Sequence, residues 1–280
     1  MFDRISYTWH AMGSSWAVLK RNKKLLLFPL FSGIACILIL ISFAVPMFLT
    51  DTWKPPARNA QPVEHVVYYA ILFLFYFCNY FVITFFNSAV VGAAVQELSG
   101  HEPTFGSSMK SATLRLPQIL GWSLLSATVG LILRAIEERV DWVGQIVVAL
   151  LGAAWTMTTF LVVPVLVVEG KGPIDAFKTS ASLLRETWGE QLISHFGFGI
   201  IFFLLAIPAF IVIVVGLAVG GAVGGIVAVV LAVLYLIVLS LVQSTLQGIF
   251  QAVLYLYAAH GETPAEFDRS TLKGAMGPAE

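Results

Sequence analysis

The sequence predicts an all-α, polytopic membrane helix bundle with about six transmembrane helices. Of its 280 residues, 58% are hydrophobic and 11% are charged, whereas soluble domains carry about 25% charged residues. The apolar residues occur in runs of roughly 20 or more, which is the length that crosses a hydrocarbon core of about 30 Å. Amphipathic segments precede alternate runs. We therefore expect a single integral membrane domain over residues 1–280.

Six stretches have the length and hydropathy of spanning helices. They cover residues 25–49, 66–95, 114–136, 143–168, 192–215 and 223–258. Pro164 and Pro208 lie inside two of these stretches and should kink them, because proline has no backbone N–H to donate. Between the last two stretches, Gly216, Gly220 and Gly224 recur every four residues. That spacing permits close helix contact, and a tight flexible turn is an equally good interpretation.

The basic residues predict the orientation, because Lys and Arg are enriched in short cytoplasmic segments. Twelve of the 16 basic residues fall on the side of the N-terminus. They are Arg4, Lys20, Arg21, Lys23, Lys24, Lys110, Arg115, Lys171, Lys178, Arg185, Arg269 and Lys273, against Lys54, Arg58, Arg134 and Arg139 on the other side. We expect a multi-pass protein of the cell inner (plasma) membrane with both termini in the cytoplasm.

An amphipathic helix is predicted before the first, third and fifth spans, where large apolar residues recur at steps of three and four. All three helices would be cytoplasmic. Their largest side chains are candidate anchors at the membrane interface, namely Trp9, Trp16, Phe105, Phe177 and Trp188. A helix with such a stripe can lie at the headgroup boundary. It can equally pack its stripe against the ends of the spans, and the sequence does not separate the two.

The amphipathic helices suggest an internal repeat. Gly100 and Pro103 precede the second helix with the spacing that Gly170 and Pro173 show before the third. Each pair is followed by a Ser-Ala dipeptide, after one register slip. The predicted units are residues 1–98, 99–169 and 170–280, each with one surface helix and a helical hairpin.

One segment resembles a known family. It has the form P-x-x-x-x-E-G-x-G-P-x-x-A-x-x-x-S and comprises Pro164, Glu169, Gly170, Gly172, Pro173, Ala176 and Ser180. It is similar to a segment of uncharacterised six-span integral membrane proteins of bacteria and archaea. Similar segments occur in the membrane domain of some glycerophosphoryl diester phosphodiesterases. The resemblance implies the six-span architecture and no particular chemistry, and we expect Glu169 to connect helices rather than to carry protons.

The sequence shows no constellation for catalysis. The five histidines are scattered, the two cysteines lie in apolar runs, and neither a phosphate-binding loop nor an H-E-x-x-H motif occurs. Nucleophilic or metal-dependent hydrolysis needs such groups in clusters. We therefore expect no enzyme activity, no cofactor and no metal, and the balanced charge predicts no nucleic-acid partner.

Amides form the main polar feature inside the spans. Gln243, Gln247 and Gln251 recur every four residues in the last span, with Ser244 and Thr245 beside them, and Asn79 and Asn87 lie close to one face of the second. Polar groups inside a membrane are costly and often functional. They predict a polar seam between these two spans, which is either a pathway or interhelical hydrogen bonding that holds the bundle together.

Two hypotheses of function remain. The first is a non-enzymatic scaffold or accessory subunit, which binds membrane lipid or a protein partner through its amphipathic helices, within a membrane protein complex or a homo-oligomer. The second is a small-solute or lipid transporter that uses the polar seam. An intramembrane enzyme is a distant third, because it would need a catalytic group that the sequence lacks.

Overall fold

The structure is a computed structural model that describes residues 2–51, 54–57, 60–188, 197–264 and 267. Side chains are described for the same residues apart from 2–8, 11, 188 and 197–200. The helices are α1 (Phe2–Arg21), α2 (Leu27–Leu49), α3 (Pro62–Leu98), α4 (Phe105–Thr113), α5 (Leu116–Glu137), α6 (Trp142–Thr158), α7 (Val162–Val168), α8 (Pro173–Trp188) and α9 (Gly197–His260). A short 3-10 turn, Lys23–Leu26, precedes α2. These described residues contain no strand, and the all-α class is confirmed.

Among the residues that the structure describes, five segments are long and apolar enough to cross a membrane. They are Lys23–Leu49, Pro62–Leu98, Leu116–Glu137, Trp142–Val168 and Ile201–His260. The last would be about 90 Å long if it were straight, which is three times the thickness of a bilayer core. It is not straight, because the backbone at Gly221 is non-helical, with φ 58° and ψ −149°.

The chain reverses at Gly221, so that α9 forms a hairpin of two arms. The Tyr235 hydroxyl in the second arm donates a hydrogen bond of 2.6 Å to the Leu205 carbonyl in the first. Near the turn, a Cβ atom on Gly216 would overlap the Cβ atom of Ala228 and lie 3.0 Å from the Gly224 carbonyl. The glycine segment therefore provides both the turn and the close contact. The beginning of the predicted fifth span, residues 192–196, lies outside the described residues.

This contact makes a first prediction. Replacing Gly216 with alanine should force the two arms of α9 apart, because the added methyl group meets Ala228. Overpacking of this kind costs about 1–3 kcal/mol. Thermal unfolding in detergent measures the loss. Gly220→Ala is the matched control, since a Cβ atom there meets nothing within 4 Å, and equal melting temperatures for both variants would contradict the prediction.

The predicted span over 143–168 corresponds to the segment Trp142–Val168, and the predicted kink near Pro164 takes the form of a helix break. Helix α6 ends at Thr158 and α7 begins at Val162, so that residues 159–161 interrupt the helix. Pro164 explains the break, because its nitrogen cannot donate to the Phe160 carbonyl and its ring crowds the preceding turn. By contrast, Pro208 lies inside α9, and the non-helical residue within that helix is Gly221 instead.

The buried core lies at one end of the bundle, which we call the base. There the C-terminal ends of α3, α7 and α9 meet α1, α4 and α8. Buried side chains are concentrated at residues 89–94, 161–167 and 249–256. Away from the base, α2, α6 and the α9 hairpin expose many large apolar side chains. Such surfaces suit contact with lipid chains, whereas the base is packed like the interior of a soluble domain.

All three helices that enter the base by their C-terminal ends stop at the same kind of turn. Gly100, Gly170 and Gly261 follow α3, α7 and α9 with φ angles of 79°, 67° and 69°. Left-handed glycine is a common helix terminator because it lacks a Cβ atom. Each glycine precedes a proline by three residues, and Pro264 completes a third copy of the predicted Gly-x-x-Pro pattern. The division into three repeat units stays a prediction.

The stripes of α4 and α8 pack into the base. Phe105 stacks on Phe28 with ring centres 5.1 Å apart, and Phe177 stacks on Trp155 at 5.5 Å. Both rings are half-buried against the core, which favours the alternative that these stripes pack against the bundle, and the role of Phe105 and Phe177 as interfacial anchors stays a prediction. Trp9 and Trp16 of α1 are 58% and 42% exposed, as interfacial anchors would be. The side chain of Trp188 lies outside the described residues.

Candidate functional site

A polar cleft of about 210 Å³ lies between α2, α3 and the second arm of α9. Five polar side chains line it, namely Ser32, Asn87, Ser244, Gln247 and Gln251. Within the described part of the chain, the rest of the lining is apolar, with Phe86 and Val90 among its members, and no ionisable side chain contributes. The cleft therefore offers hydrogen bonds without a net charge.

Helix periodicity brings the α9 residues together. Ser244, Gln247 and Gln251 are separated by three and four residues, and such positions share one face of a helix. Gly248 lets this face approach α3, because a Cβ atom there would lie 2.6 Å from Val90 Cγ1 and 3.2 Å from Asn87 Oδ1. A glycine at this position is thus what allows the two helices to form the floor of the cleft.

The amides of the cleft are only partly satisfied. Asn87 Nδ2 donates a hydrogen bond of 3.2 Å to Gln251 Oε1, and the Gln251 side chain is 7% exposed. Gln247 is half-buried and Ser244 is exposed. Neither side chain has a hydrogen-bond partner within the part of the chain that the structure describes. The cleft thus combines a closed amide pair with free donors and acceptors beside it.

The cleft lies close to the base. Ser32 follows Lys24 by eight residues, which corresponds to about 12 Å along the helix. Leu25, Phe28 and Pro29, which lie between them, are buried. The polar groups therefore lie near the basic end of α2 rather than at the middle of the membrane-spanning segments.

The structure brings together three of the five residues of the predicted seam. Asn79 instead donates a hydrogen bond of 2.9 Å to the Phe75 carbonyl of its own helix. Gln243 lines a separate groove with Phe202 and Ser240. The seam is therefore shorter than predicted and is confined to Asn87, Gln247 and Gln251. Ser32 was missed, because nothing in the sequence of the first span connects it to the other two.

The segment that carries the family resemblance forms a junction in the base. Ser180 of α8 spans the break between α6 and α7, where its Oγ donates to the Thr158 carbonyl at 2.7 Å and accepts from the Leu161 amide at 3.1 Å. Ala176, one turn earlier, is fully buried. The Thr158 carbonyl and the Leu161 amide, which flank the helix interruption before Pro164, thus find their hydrogen-bond partner in a side chain of the next helix.

The turn between α7 and α8 is bonded to α9 and to the junction between α4 and α5. Glu169 accepts a hydrogen bond of 3.0 Å from the Tyr255 hydroxyl of α9 and pairs with Lys171 at 2.6 Å. Arg115 Nε donates to the Val167 carbonyl at 3.1 Å. The expectation that Glu169 connects helices by hydrogen bonding is confirmed.

Gly170 and Pro173 of this segment lie in close contact with neighbouring parts of the base. A Cβ atom on Gly170 would overlap the Arg115 guanidinium. Pro173 lies so close to α5 that a Cβ atom on Gly121 would be 2.7 Å from its Cγ atom. Gly172 is exposed and has open space around it. The segment therefore has a structural role in the base, and it does not line the cleft.

One family model matches this chain. It is described as "Family of unknown function (DUF6159)" and covers residues 66–265. The match includes the cleft residues of α3 and α9 and the whole junction between α7 and α8. No curated protein matches the sequence.

Proposed function

The chain belongs to the DUF6159 family, whose function is unknown, and we propose that it is a non-enzymatic lipid transporter whose cleft receives a lipid headgroup. The observation that carries this proposal is the unpartnered Gln247 amide beside the Asn87 and Gln251 pair. Unsatisfied polar groups in a hydrocarbon environment cost several kcal/mol each. Gln247 is half-buried, so a ligand that supplies hydrogen bonds would remove a part of this cost.

The lining limits the chemistry of the ligand. Since no ionisable group lines the cleft, a charged group bound there would have no counter-charge. The volume of about 210 Å³ is below the roughly 300–1,000 Å³ of pockets for drug-sized ligands. We therefore propose that the cleft binds a small, uncharged, hydrogen-bonding group, such as the hydroxyls of a glycerol-like headgroup.

The position of the cleft favours lipid over a soluble molecule. Ile83, at its rim, is 50% exposed, and Ser244 is exposed as well, so the cleft opens sideways from the helix bundle. A lipid can enter from the bilayer by that route. The basic residues would place the base, and with it the cleft, at the cytoplasmic leaflet of the inner membrane, with six crossings if each arm of α9 spans the bilayer.

The scaffold hypothesis keeps less support. It needs exposed amphipathic faces, and the rings of Phe105 and Phe177 are stacked inside the base. Helix α1 is the remaining surface of this kind among the described side chains. The resemblance to the membrane domain of some glycerophosphoryl diester phosphodiesterases stays a prediction, and it implies no particular ligand.

Replacement of Gln247 by leucine tests the proposal. The variant keeps the volume of the side chain and removes its hydrogen bonds. A lost ligand hydrogen bond costs about 1.4 kcal/mol, so we expect transport to fall about tenfold. Proteoliposomes containing acyl-labelled fluorescent phosphatidylglycerol, with dithionite quenching, report movement of the lipid between leaflets. In a parallel arm, uptake of radiolabelled glycerol reports movement of a soluble molecule with the same hydroxyl chemistry.

Gln243→Leu is the matched control, because Gln243 lies one turn away and faces a different groove. It should transport lipid as the unaltered protein does. Glycerol uptake without lipid movement would show that the cleft carries a small solute and not a lipid. Equal rates for the two variants, or no transport of either probe by the unaltered protein, would refute the assignment of the cleft.

A further inference from the structure

A second groove lies between α1 and both arms of α9. It has a volume of about 400 Å³ and shares no residue with the cleft. Its walls are apolar, formed by Trp9, Met12 and Trp16 from α1 and by Phe202, Leu205 and Val242 from α9. Gly13 lies in the α1 wall, and a Cβ atom there would meet nothing within 4 Å. The groove is thus bounded by three helical segments and has room for an extended hydrocarbon chain.

Three lysines follow the α1 wall of the groove closely in the sequence. Lys20 Nζ lies 5.8 Å from the ring centre of Trp16, and Lys23 and Lys24 follow in the next turn of chain. All three lysines are exposed, and within the described residues none of them forms an ion pair. The sequence contains no Asp or Glu between Arg4 and Thr50. The positive charge of these lysines is therefore not neutralised by a nearby carboxylate along the chain.

We propose that this groove binds one anionic phospholipid, with an acyl chain between α1 and the α9 hairpin and its phosphate at Lys20, Lys23 and Lys24. The apolar walls match a hydrocarbon chain. The cluster of lysines matches a phosphate, and each lysine near a membrane surface strengthens binding of anionic lipid. Trp9 and Trp16, which are 58% and 42% exposed, have the amphipathic ring that is favoured at the headgroup level.

The two features favour a lipid over a protein partner. An occupant must place an apolar, slender part in the groove and a negative charge at the three lysines, and an anionic phospholipid carries both in one molecule. This inference is independent of the proposed cleft, because the two sites use different faces of the second arm of α9. The variant Gln247→Leu should therefore leave binding of the anionic phospholipid in the groove unchanged.

Native mass spectrometry of the purified, delipidated full chain tests the site. Phosphatidylglycerol and phosphatidylcholine with the same acyl chains are the probes. We expect one phosphatidylglycerol to be retained at concentrations where phosphatidylcholine is not. The triple variant Lys20→Gln, Lys23→Gln and Lys24→Gln should weaken phosphatidylglycerol binding on the order of 100-fold, because each lysine contributes roughly fivefold and the three factors multiply. It should leave phosphatidylcholine binding unchanged.

Two matched controls separate the site from general effects. The variant Lys110→Gln, Lys178→Gln and Arg185→Gln removes the same charge from exposed positions of α4 and α8, and it should retain the preference. Gly13→Leu fills the groove and should weaken binding of the lipid. Gly106→Leu, at another glycine with open space around it, should not.

Four results would overturn the proposal. They are equal retention of the two lipids by the unaltered protein, equal loss in the two charge variants, equal affinity of the Gly13 and Gly106 variants, and loss of binding in Gln247→Leu. The last result would mean that the phospholipid binds in the cleft rather than in the groove. Failure of this inference can therefore be told apart from failure of the proposed transport function.

Discussion

Alanine in place of Ser180 should destabilise the protein by about 2–4 kcal/mol, because one hydroxyl satisfies both sides of a broken helix. The Ser180 Oγ atom binds the Thr158 carbonyl and the Leu161 amide, and Ser180 and Leu161 are fully buried. Without the hydroxyl, a carbonyl and an amide in the core would each lose a partner. Every such orphaned group costs about 1–3 kcal/mol.

Unfolding by heat or by denaturing detergent measures this loss, and the chain offers a control on the same helix. Ser182 lies two residues away and donates to Glu186 at an exposed position. Ser182→Ala should therefore change the unfolding free energy by about 0.5 kcal/mol or less. If both serine variants unfold alike, Ser180 does not hold the break together.

Replacement of Gly170 by alanine should be comparably damaging, for two reasons that add. Gly170 has a φ angle of 67°, and a residue with a Cβ atom pays about 1–2 kcal/mol for that conformation. The new methyl group would also overlap the Arg115 guanidinium. Movement of Arg115 would take its hydrogen bond away from the Val167 carbonyl. We expect a total loss of about 2–4 kcal/mol.

Gly172 supplies the control for this variant. It lies two residues further along the same turn, and a Cβ atom there meets nothing within 4 Å. Gly172→Ala should melt close to the unaltered protein, while Gly170→Ala should melt well below it. A Gly170 variant as stable as the Gly172 variant would show that neither the left-handed backbone nor the contact with Arg115 matters.

Together these two predictions assign the recognisable segment of the chain to architecture. Ser180 bonds to both sides of the helix break, and Gly170 ends α7. Glu169 accepts a hydrogen bond from the Tyr255 hydroxyl of α9. The segment is thus informative about the fold, and it contributes no residue to the cleft. Variants in the cleft should alter transport with little loss of stability, and variants in the segment should do the reverse.

The sequence by itself determined the helical class and the approximate membrane-spanning segments. The physical reason is that a chain with this many apolar runs must satisfy its backbone hydrogen bonds within each run, and a helix does so locally. Turn chemistry is equally local. Gly170 and Gly221 adopt positive φ angles that most other residues avoid, so the ends of helices could be placed to within a few residues.

Only the tertiary structure decided what the polar and amphipathic faces contact. Asn87 and Gln251 are separated by 164 positions, and periodicity shows that each lies on a helix face without showing which faces meet. The stripes of α1 and α8 look alike in sequence, because apolar side chains suit lipid and protein core equally. Packing buries Leu184 in α8 and leaves Trp9 exposed in α1, and that difference depends on neighbours distant in the chain.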